Sequence, residues 1–330
     1  MSELLEASEC SPYKVLGTNI AYLPRVYFYT DSEVGIPWPG PDSDHKAHGF
    51  PEPRFNWEEM PGFQPTENPT EADVFVVRQR LSWLTDEQVA GLPYLKGNEK
   101  RHVFFDLADN FYLYPVGEAM QFRGCADREM VEAQPGIVPI AWPVEDFGHL
   151  TDWNWEYDVC FQGQHNKLAD RAMESCIKAG LKCNFNLTEK FWPHIRNEDP
   201  QRGQDLWDSF RENIRSARIS LCPRTLDRGV VRYRLYEAMT MHRCSVLIGD
   251  DCLLPFPEQI NWDFIVLRIP EAAVEECGDR TRAWLEGQPP WHWDELTAGD
   301  YARDVWLDFL DRRQYGKMIS HTVKERLGLC

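Results

Sequence analysis

Short apolar runs alternate with amphipathic stretches along most of this sequence. Several runs are apolar at nearly every position, as in parallel strands that are covered on both faces. Strands that alternate with helical patterns are typical of an α/β fold. The predicted strands are 25–29, 72–77, 102–107, 137–142, 157–162, 182–187, 217–222, 244–249 and 263–269.

The stretches between these strands carry helix signals. Thr85 followed by Gln88 resembles a capping box that opens a short helix. The stretch 168–179 ends at Gly180, a residue favoured just after a helix. The periodicity predicts further helices at 209–216, 231–242 and 301–327.

The strands fall into two sets, which predicts two domains. A chain of 330 residues is long for one compact core. The polar and aromatic stretch 150–156 separates the sets, so we expect an N-terminal domain at 1–152 and a C-terminal domain at 153–330. The terminal helix, at about 300–330, is expected to pack back toward the first domain. Residues 35–70 are rich in Pro, Gly and charge and predict a long loop.

Composition narrows the function classes. The formal net charge of -18 argues against nucleic acid as a partner, because binding its backbone needs clustered Lys and Arg. No apolar run of about 18 residues predicts a membrane span, and residues 1–6 lack the apolar region of a secretory signal. The 10 cysteines form no CxxC pair, which favours reduced thiols and predicts no metal site. We therefore expect a cytoplasmic protein.

The densest chemical signal lies at 209–270. A strand that ends at Pro223 leads into a loop and then into the helix predicted at 231–242. Helix N-termini at the carboxyl edge of an α/β sheet bind phosphate through unpaired N–H groups and the helix dipole. The arginines of this acidic chain that cluster there are Arg224, Arg228, Arg232 and Arg234. Glu237 follows Arg234 by three residues and so lies on the same helix face. This spacing is as typical of a surface ion pair as of a ligand site.

The same segment resembles the exostosin-like family of glycosyltransferases. Residues 216–223 resemble the family's S-K-F-C-L-C-P, and residues 234–238 resemble R-x-x-E-A. Residues 245–248 resemble P-V-L-I, and residues 254–264 resemble L-P-F followed by W-x-x-F. Weaker likenesses upstream are residues 71–77 to A-D-L-F-F-V-P, 102–109 to D-H-F-F-F-x-x-x-D, and 161–171 to F-x-G followed by R.

The resemblance implies a GT-B architecture, in which two Rossmann-like domains face a central cleft. It also implies an inverting, metal-independent transferase that moves a sugar from a nucleotide-sugar, with UDP-sugar favoured, to an oligosaccharide or other glycan acceptor. No cofactor is expected. Residues 42–44 read D-S-D, the pattern of a metal-binding motif, but they lie in a Pro/Gly-rich loop and predict a solvated turn instead.

The resemblance places the donor in the C-terminal domain. Arg234 is expected to bind the diphosphate, with Arg224 and Arg228 in support, and Glu237 to accept hydrogen bonds from the ribose. The remaining residues expected at the donor are Cys222, Pro223, Gly163 and His165, of which His165 could also contact the acceptor.

An inverting displacement also needs a general base near the acceptor hydroxyl. Asp109, which follows the strand at 102–107, is our first choice, with Asp106 and Glu145 (and its neighbour Asp146) as alternatives. An aspartate at a strand end is equally typical of a structural cap.

Two other functions stay open. Thr225 and Arg232 depart from the family pattern, which favours considering a non-catalytic module that binds a sugar nucleotide or glycan. A fucosyl-type transferase that uses a GDP-sugar would share the same architecture.

Overall fold

Two parallel sheets organise the chain. The computed structural model describes residues 24–37, 63–107, 111–142, 144–148, 155–190, 192–224, 231, 233–287, 298–311 and 314–328. The first sheet has the strand order β2-β1-β3-β4-β5-β6 and the second β11-β10-β9-β7-β8. Every pairing within either sheet is parallel. The predicted α/β architecture with two Rossmann-like sheets is confirmed.

The strands of the two sheets divide the chain into an N-terminal and a C-terminal half. The first sheet consists of β1 (Arg25–Phe28), β2 (Gln64–Pro65), β3 (Val74–Val76), β4 (His102–Asp106), β5 (Met120–Arg123) and β6 (Ile137–Pro139). The second consists of β7 (Tyr157–Gln164), β8 (Cys183–Thr188), β9 (Ala217–Pro223), β10 (Cys244–Ile248) and β11 (Val266–Ile269). The expected boundary at 152/153 falls between the sheets but lies outside the described residues.

Helices surround both sheets. In the N-terminal half they are α1 (Asp31–Val34), α2 (Asp86–Ala90) and α3 (Arg128–Ala133). In the C-terminal half they are α4 (Lys167–Lys178), α5 (Trp192–Glu198), α6 (Pro200–Arg215), α7 (Tyr233–Thr240), α8 (Cys277–Gly287), α9 (Ala298–Val305) and α10 (Tyr315–Leu327). The capping box at Thr85 is confirmed, since Thr85 and Gln88 each bond the other's backbone. Gly180 follows α4 with φ +75° as predicted.

The apolar pattern missed β5, whose side chains are all buried although two of them are polar. Gln121 donates to the Gln134 side chain at 2.9 Å, and Arg123 lies 3.5 Å from Asp106, so each has a partner outside its own strand. The predicted loop at 35–70 falls largely on residues outside the described part of the chain.

The carboxyl edges of the two sheets face each other. Asp127, in the segment after β5, forms an antiparallel bridge with Cys252, in the segment after β10. Trp142, which follows β6, packs against Tyr233 with ring centroids 4.9 Å apart. Because ligands of open α/β sheets bind outside the carboxyl ends of the strands, this arrangement opens both binding edges onto one cleft.

The predicted terminal helix is broken into two. α9 continues into a wider turn at Trp306–Leu310, and the chain then turns before α10 begins. Arg326 on α10 donates to the Pro135 carbonyl at 2.9 Å, so the terminal helix reaches back to the N-terminal half. Among the described residues, no helix combines the length and the apolar character needed to cross a bilayer.

Gly278 sets the distance between α8 and α4. A methyl group at Gly278 would lie 2.2 Å from the Ser175 carbonyl oxygen and 2.6 Å from the Ala179 Cβ. We expect Gly278→Ala to lower the free energy of unfolding by about 1–3 kcal/mol, because the backbone must shift to make room. Urea denaturation measures this change. Gly287→Ala is the matched control in the same helix, since no atom lies within 4 Å of its added methyl. Equal midpoints for the two variants would contradict the packing argument.

Candidate functional site

A crevice opens where the chain direction of the second sheet reverses. The strand order β8-β7-β9-β10 places β7 and β9 side by side. From β7 the chain continues to β8 on one side, and from β9 it continues to β10 on the other side. Such a switch point leaves a gap at the carboxyl ends of the two strands, which is the usual ligand position in open α/β sheets. Gly163 lies near the end of β7, and Pro223 ends β9. The family-like segments at 161–163 and 216–223 therefore border one crevice.

Helix α7 begins at the edge of this crevice. It starts at Tyr233, and its buried face carries Leu235, Ala238 and Met239. Its first-turn N–H groups have no partner within the helix, and its dipole puts partial positive charge at that end. The N-terminus of α7 is thus suited to a phosphate group.

Arg234 bridges α7 and β7. Its Nη2 donates to the Gln162 carbonyl oxygen, and its guanidinium lies over the Phe161 ring at 4.3 Å and the Phe210 ring at 5.7 Å. None of the described carboxylates lies within ion-pair distance of it. An arginine held by a backbone oxygen and aromatic faces keeps its charge and its remaining N–H donors for a ligand.

Gly163 makes this position of Arg234 available. A Cβ at residue 163 would lie 2.9 Å from Arg234 Nη2. The glycine therefore leaves room for the guanidinium at the end of β7, and a larger side chain here would displace it. Gly163 and Arg234, both predicted donor residues, are in this way brought together.

Glu237 lies one helical turn after Arg234 and is 8% exposed. None of the described residues donates a hydrogen bond to its carboxylate. Burial raises the pKa of Glu237 to about 7, the positive charge of Arg234 opposes this rise, and the charge of Glu145 adds to it. A buried carboxylate without a donor is costly, which makes Glu237 a strong acceptor for a ligand that brings hydroxyl groups.

The other predicted donor residues occupy different positions. Cys222 is buried in β9, and burial raises the pKa of its thiol to about 11. At neutral pH its side chain is therefore an uncharged thiol beside the crevice. Pro223 is half-buried at the end of β9. His165 is exposed beyond β7, with its Nδ1 3.4 Å from Asp170. Pro223 and His165 thus border the crevice without contacting Arg234 or Glu237.

Arg224 has a partner within the fold that the sequence analysis did not name. Its guanidinium faces Glu271 with two hydrogen bonds, from Nε to Oε1 and from Nη2 to Oε2 at 2.7 Å. Glu271 follows β11 and also accepts from the Asp250 backbone N–H at 3.5 Å. A bidentate pair of this kind is geometrically satisfied, so Arg224 ties the ends of β9 and β11 together instead of presenting its guanidinium to a diphosphate.

The base candidates differ sharply in environment. Asp106 is 1% exposed, lies 3.5 Å from the buried Arg123, and accepts from the Tyr114 hydroxyl at 3.2 Å. These contacts are those of a structural carboxylate that cannot reach an acceptor hydroxyl without breaking a buried pair. Glu145 is exposed on the segment 144–148, close enough to Glu237 to affect its pKa.

Several predicted residues lie outside the described residues, namely Asp109, Arg228, Thr225, Arg232 and the D-S-D at 42–44. Within the described part of the chain, no group of three or more His, Cys, Asp or Glu side chains could hold a metal ion. His102, which the sequence places in a strand, is buried between the Tyr29 hydroxyl and the Asn98 carbonyl, each at 2.8 Å, and belongs to the core.

The rings under Arg234 were not predicted. Phe161 belongs to a segment that the sequence did single out, but Phe210 lies on α6, far away in the chain. Phe210 packs with Trp207 at a centroid distance of 5.7 Å, as a helix face of ordinary core aromatics would. Only the fold brings that face to the crevice.

Comparisons with known proteins give distant structural likenesses. The pneumococcal O-GlcNAc transferase GtfA, solved with UDP and GlcNAc, is 10% identical, with 77% of this chain and 57% of that chain covered and a TM-score of 0.42. TarM is 11% identical, with 72% and 57% covered and a TM-score of 0.37. CalG4, the calicheamicin glycosyltransferase, is 10% identical, with 79% and 77% covered and a TM-score of 0.29.

This chain spans less than two thirds of the length of GtfA and TarM. No family model and no curated protein matches the sequence. The case for a function therefore rests on the geometry of this chain's own crevice.

The raised pKa of Glu237 makes stability depend on pH. In the folded state Glu237 keeps its proton up to about pH 7, whereas in the unfolded chain it releases the proton near pH 4.5. The contribution of Glu237 to the free energy of unfolding is therefore complete below pH 4.5 and is lost as the pH rises to about 7. The loss amounts to at most about 3 kcal/mol. We expect Glu237→Gln to remove it. The measurement is the difference in unfolding free energy between the two proteins at pH 4.5, 6 and 8, in urea. A difference that is constant with pH would show that Glu237 titrates normally.

Proposed function

We propose that this protein is a glycosyltransferase that moves a sugar from a nucleotide-sugar, with UDP-sugar favoured, to a glycan acceptor. One observation carries the proposal. At the switch point of the second sheet, Arg234 stands at a helix start and Glu237, a buried carboxylate, follows one turn later; among the described residues, Arg234 has no carboxylate partner and Glu237 no hydrogen-bond donor. Diphosphate and ribose present complementary groups, an anion and vicinal hydroxyls.

The chemistry of sugar transfer assigns Arg234 its role. Breaking the anomeric C–O bond leaves negative charge on the departing diphosphate. Arg234 and the N–H groups of α7 stabilise that charge from fixed positions, so little reorganisation is needed during the reaction. A bound divalent metal would be redundant with them, and we propose a metal-independent reaction.

Glu237 binds the ribose in its ionised form. Its carboxylate oxygens accept hydrogen bonds from the two ribose hydroxyls, which supply donors that none of the described residues provides. Ligand binding then lowers the pKa of Glu237 below its value of about 7 in the free protein. Donor affinity consequently increases as pH rises toward 8.

Glu145 is the base that we favour among the described candidates for an inverting displacement. It is exposed and lies close enough to Glu237 to influence the pKa of that residue, whereas Asp106 is held in a buried pair. As base it accepts the proton of the acceptor hydroxyl while that oxygen attacks the anomeric carbon, and the diphosphate leaves from the opposite face.

A non-catalytic sugar-nucleotide module is the second candidate. The observation that favours it is the pairing of Arg224 with Glu271, which leaves fewer cations for a departing diphosphate than the resemblance implies.

A donor panel tests the proposal. The protein is incubated with UDP-sugars and GDP-sugars, with and without oligosaccharide acceptors, and free nucleotide is measured. We expect UDP release that is unchanged by EDTA. Binding seen as a thermal shift without any release would favour the module, GDP release would favour a fucosyl-type donor, and an EDTA-sensitive rate restored by Mn²⁺ would contradict metal independence.

Arg234→Ala should weaken nucleotide-sugar binding or turnover by about a hundredfold, because it removes the cation at the diphosphate. Gly163→Ala should act in the same direction, since its methyl displaces Arg234. Isothermal titration with a UDP-sugar measures both. Arg171→Ala is the matched control, an exposed arginine of the same half that pairs with Glu275. Full affinity in Arg234→Ala would remove this residue from the site.

A further inference from the structure

The segment 144–148, which links the two halves, is fixed against the C-terminal end of α7. Phe147 donates its backbone N–H to Thr240 Oγ1 at 3.4 Å, and its ring packs edge-on against Trp207 at 5.3 Å. Arg211 donates to the Phe147 carbonyl at 3.3 Å. Glu145 lies two residues before Phe147, so whatever holds this segment also determines where Glu145 stands.

Arg303 on α9 joins this segment to the donor helix. Its Nη1 and Nη2 donate to the two carboxylate oxygens of Asp146 at 2.6 and 2.8 Å, and its Nη1 also donates to the Thr240 carbonyl at 2.8 Å. Its guanidinium lies over the Trp306 ring at 4.7 Å. The side chain is 8% exposed, so these contacts are made largely out of water.

Each contact of Arg303 has a distinct effect. The bidentate pair fixes both the distance and the orientation of Asp146, which a single lysine contact could not do. The bond to Thr240 satisfies one of the carbonyls that the last turn of α7 leaves without a helical partner, and the cation suits the negative end of the helix dipole. Arg303 thereby fixes α7 and the segment 144–148 relative to each other.

We propose that Arg303 is a positioning residue of the donor site, which acts through Asp146 to hold Glu145 opposite Glu237. The proposal rests on the proposed function for its catalytic consequence. Glu145, favoured as base, and Glu237, favoured for the ribose, belong to different halves of the chain. The contact of Arg303 with Asp146 and Thr240 holds the two together, which gives α9 a role beyond packing.

The charges around Glu237 provide a direct readout. Arg234 faces it from its own helix and lowers its pKa, Glu145 faces it from the linking segment and raises it, and its charge is also felt by Cys222 on β9. If Glu145 is released from its position, the pKa of Glu237 should therefore fall. A merely structural loss at Arg303 would lower stability without moving that pKa.

The test compares each variant with the same variant that also carries Glu237→Gln, without ligand. The difference in their unfolding free energies changes with pH, and the pH at the midpoint of that change is the quantity measured. Arg303→Lys and Asp146→Asn should each move the midpoint to lower pH. Glu145→Gln should do the same, and combining Glu145→Gln with Asp146→Asn should add no further shift, since both act through one carboxylate. Arg326→Lys, which alters a separate arginine contact to the N-terminal half, should leave the midpoint in place.

Turnover separates this proposal from the proposed function. With a working donor and acceptor, Asp146→Asn should lower kcat by about tenfold while changing the KM for the donor little, because the base moves but the donor site stays. Asp146 is partly exposed, so this variant should fold even if Arg303→Lys does not. An unmoved midpoint in Asp146→Asn would overturn the positioning role whether or not the protein transfers sugar. A moved midpoint without turnover would retain that role and contradict only the proposed function.

Discussion

The proposed donor site depends on the contact between Arg234 and the end of β7. Arg234 donates to the Gln162 carbonyl and lies over Phe161 in space that Gly163 leaves open. This contact closes the switch-point crevice on one side and attaches the first turn of α7 to the strand beside it. A guanidinium supported by a backbone oxygen and aromatic faces stays charged and oriented, which the recognition of an anion requires.

The buried carboxylate of Glu237 is tolerated because of this neighbour. Burial alone favours its protonated form, and the nearby cation lowers that cost. The ionised form of Glu237 is therefore unfavourable in the free protein, and a ligand rich in hydroxyl groups would stabilise it. Two other predicted site residues are paired within the fold, Arg224 with Glu271 and Asp106 with Arg123, and these pairs stabilise the scaffold.

Sequence pattern predicted most of the second sheet and the helix that carries Arg234, because fully buried parallel strands are continuous apolar runs. It missed β5, where Gln121 and Arg123 are buried on partners distant in the chain. It also gave no sign that Arg224 pairs with Glu271, because nothing local reveals a partner 47 residues away. Phe210 and Arg303 escaped notice for the same reason, as their contacts to the site exist only after α6 and α9 have packed. Local chemistry could thus be predicted, whereas pairing across the fold could not.

The backbone bridge between Asp127 and Cys252 constrains how the two halves can move. It joins the segment after β5 to the segment after β10, and Arg128 lies 3.5 Å from Asp251 beside it. A rotation that preserves this main-chain contact has to use it as a pivot. In such a rotation the two halves would separate most at the end farthest from the pivot.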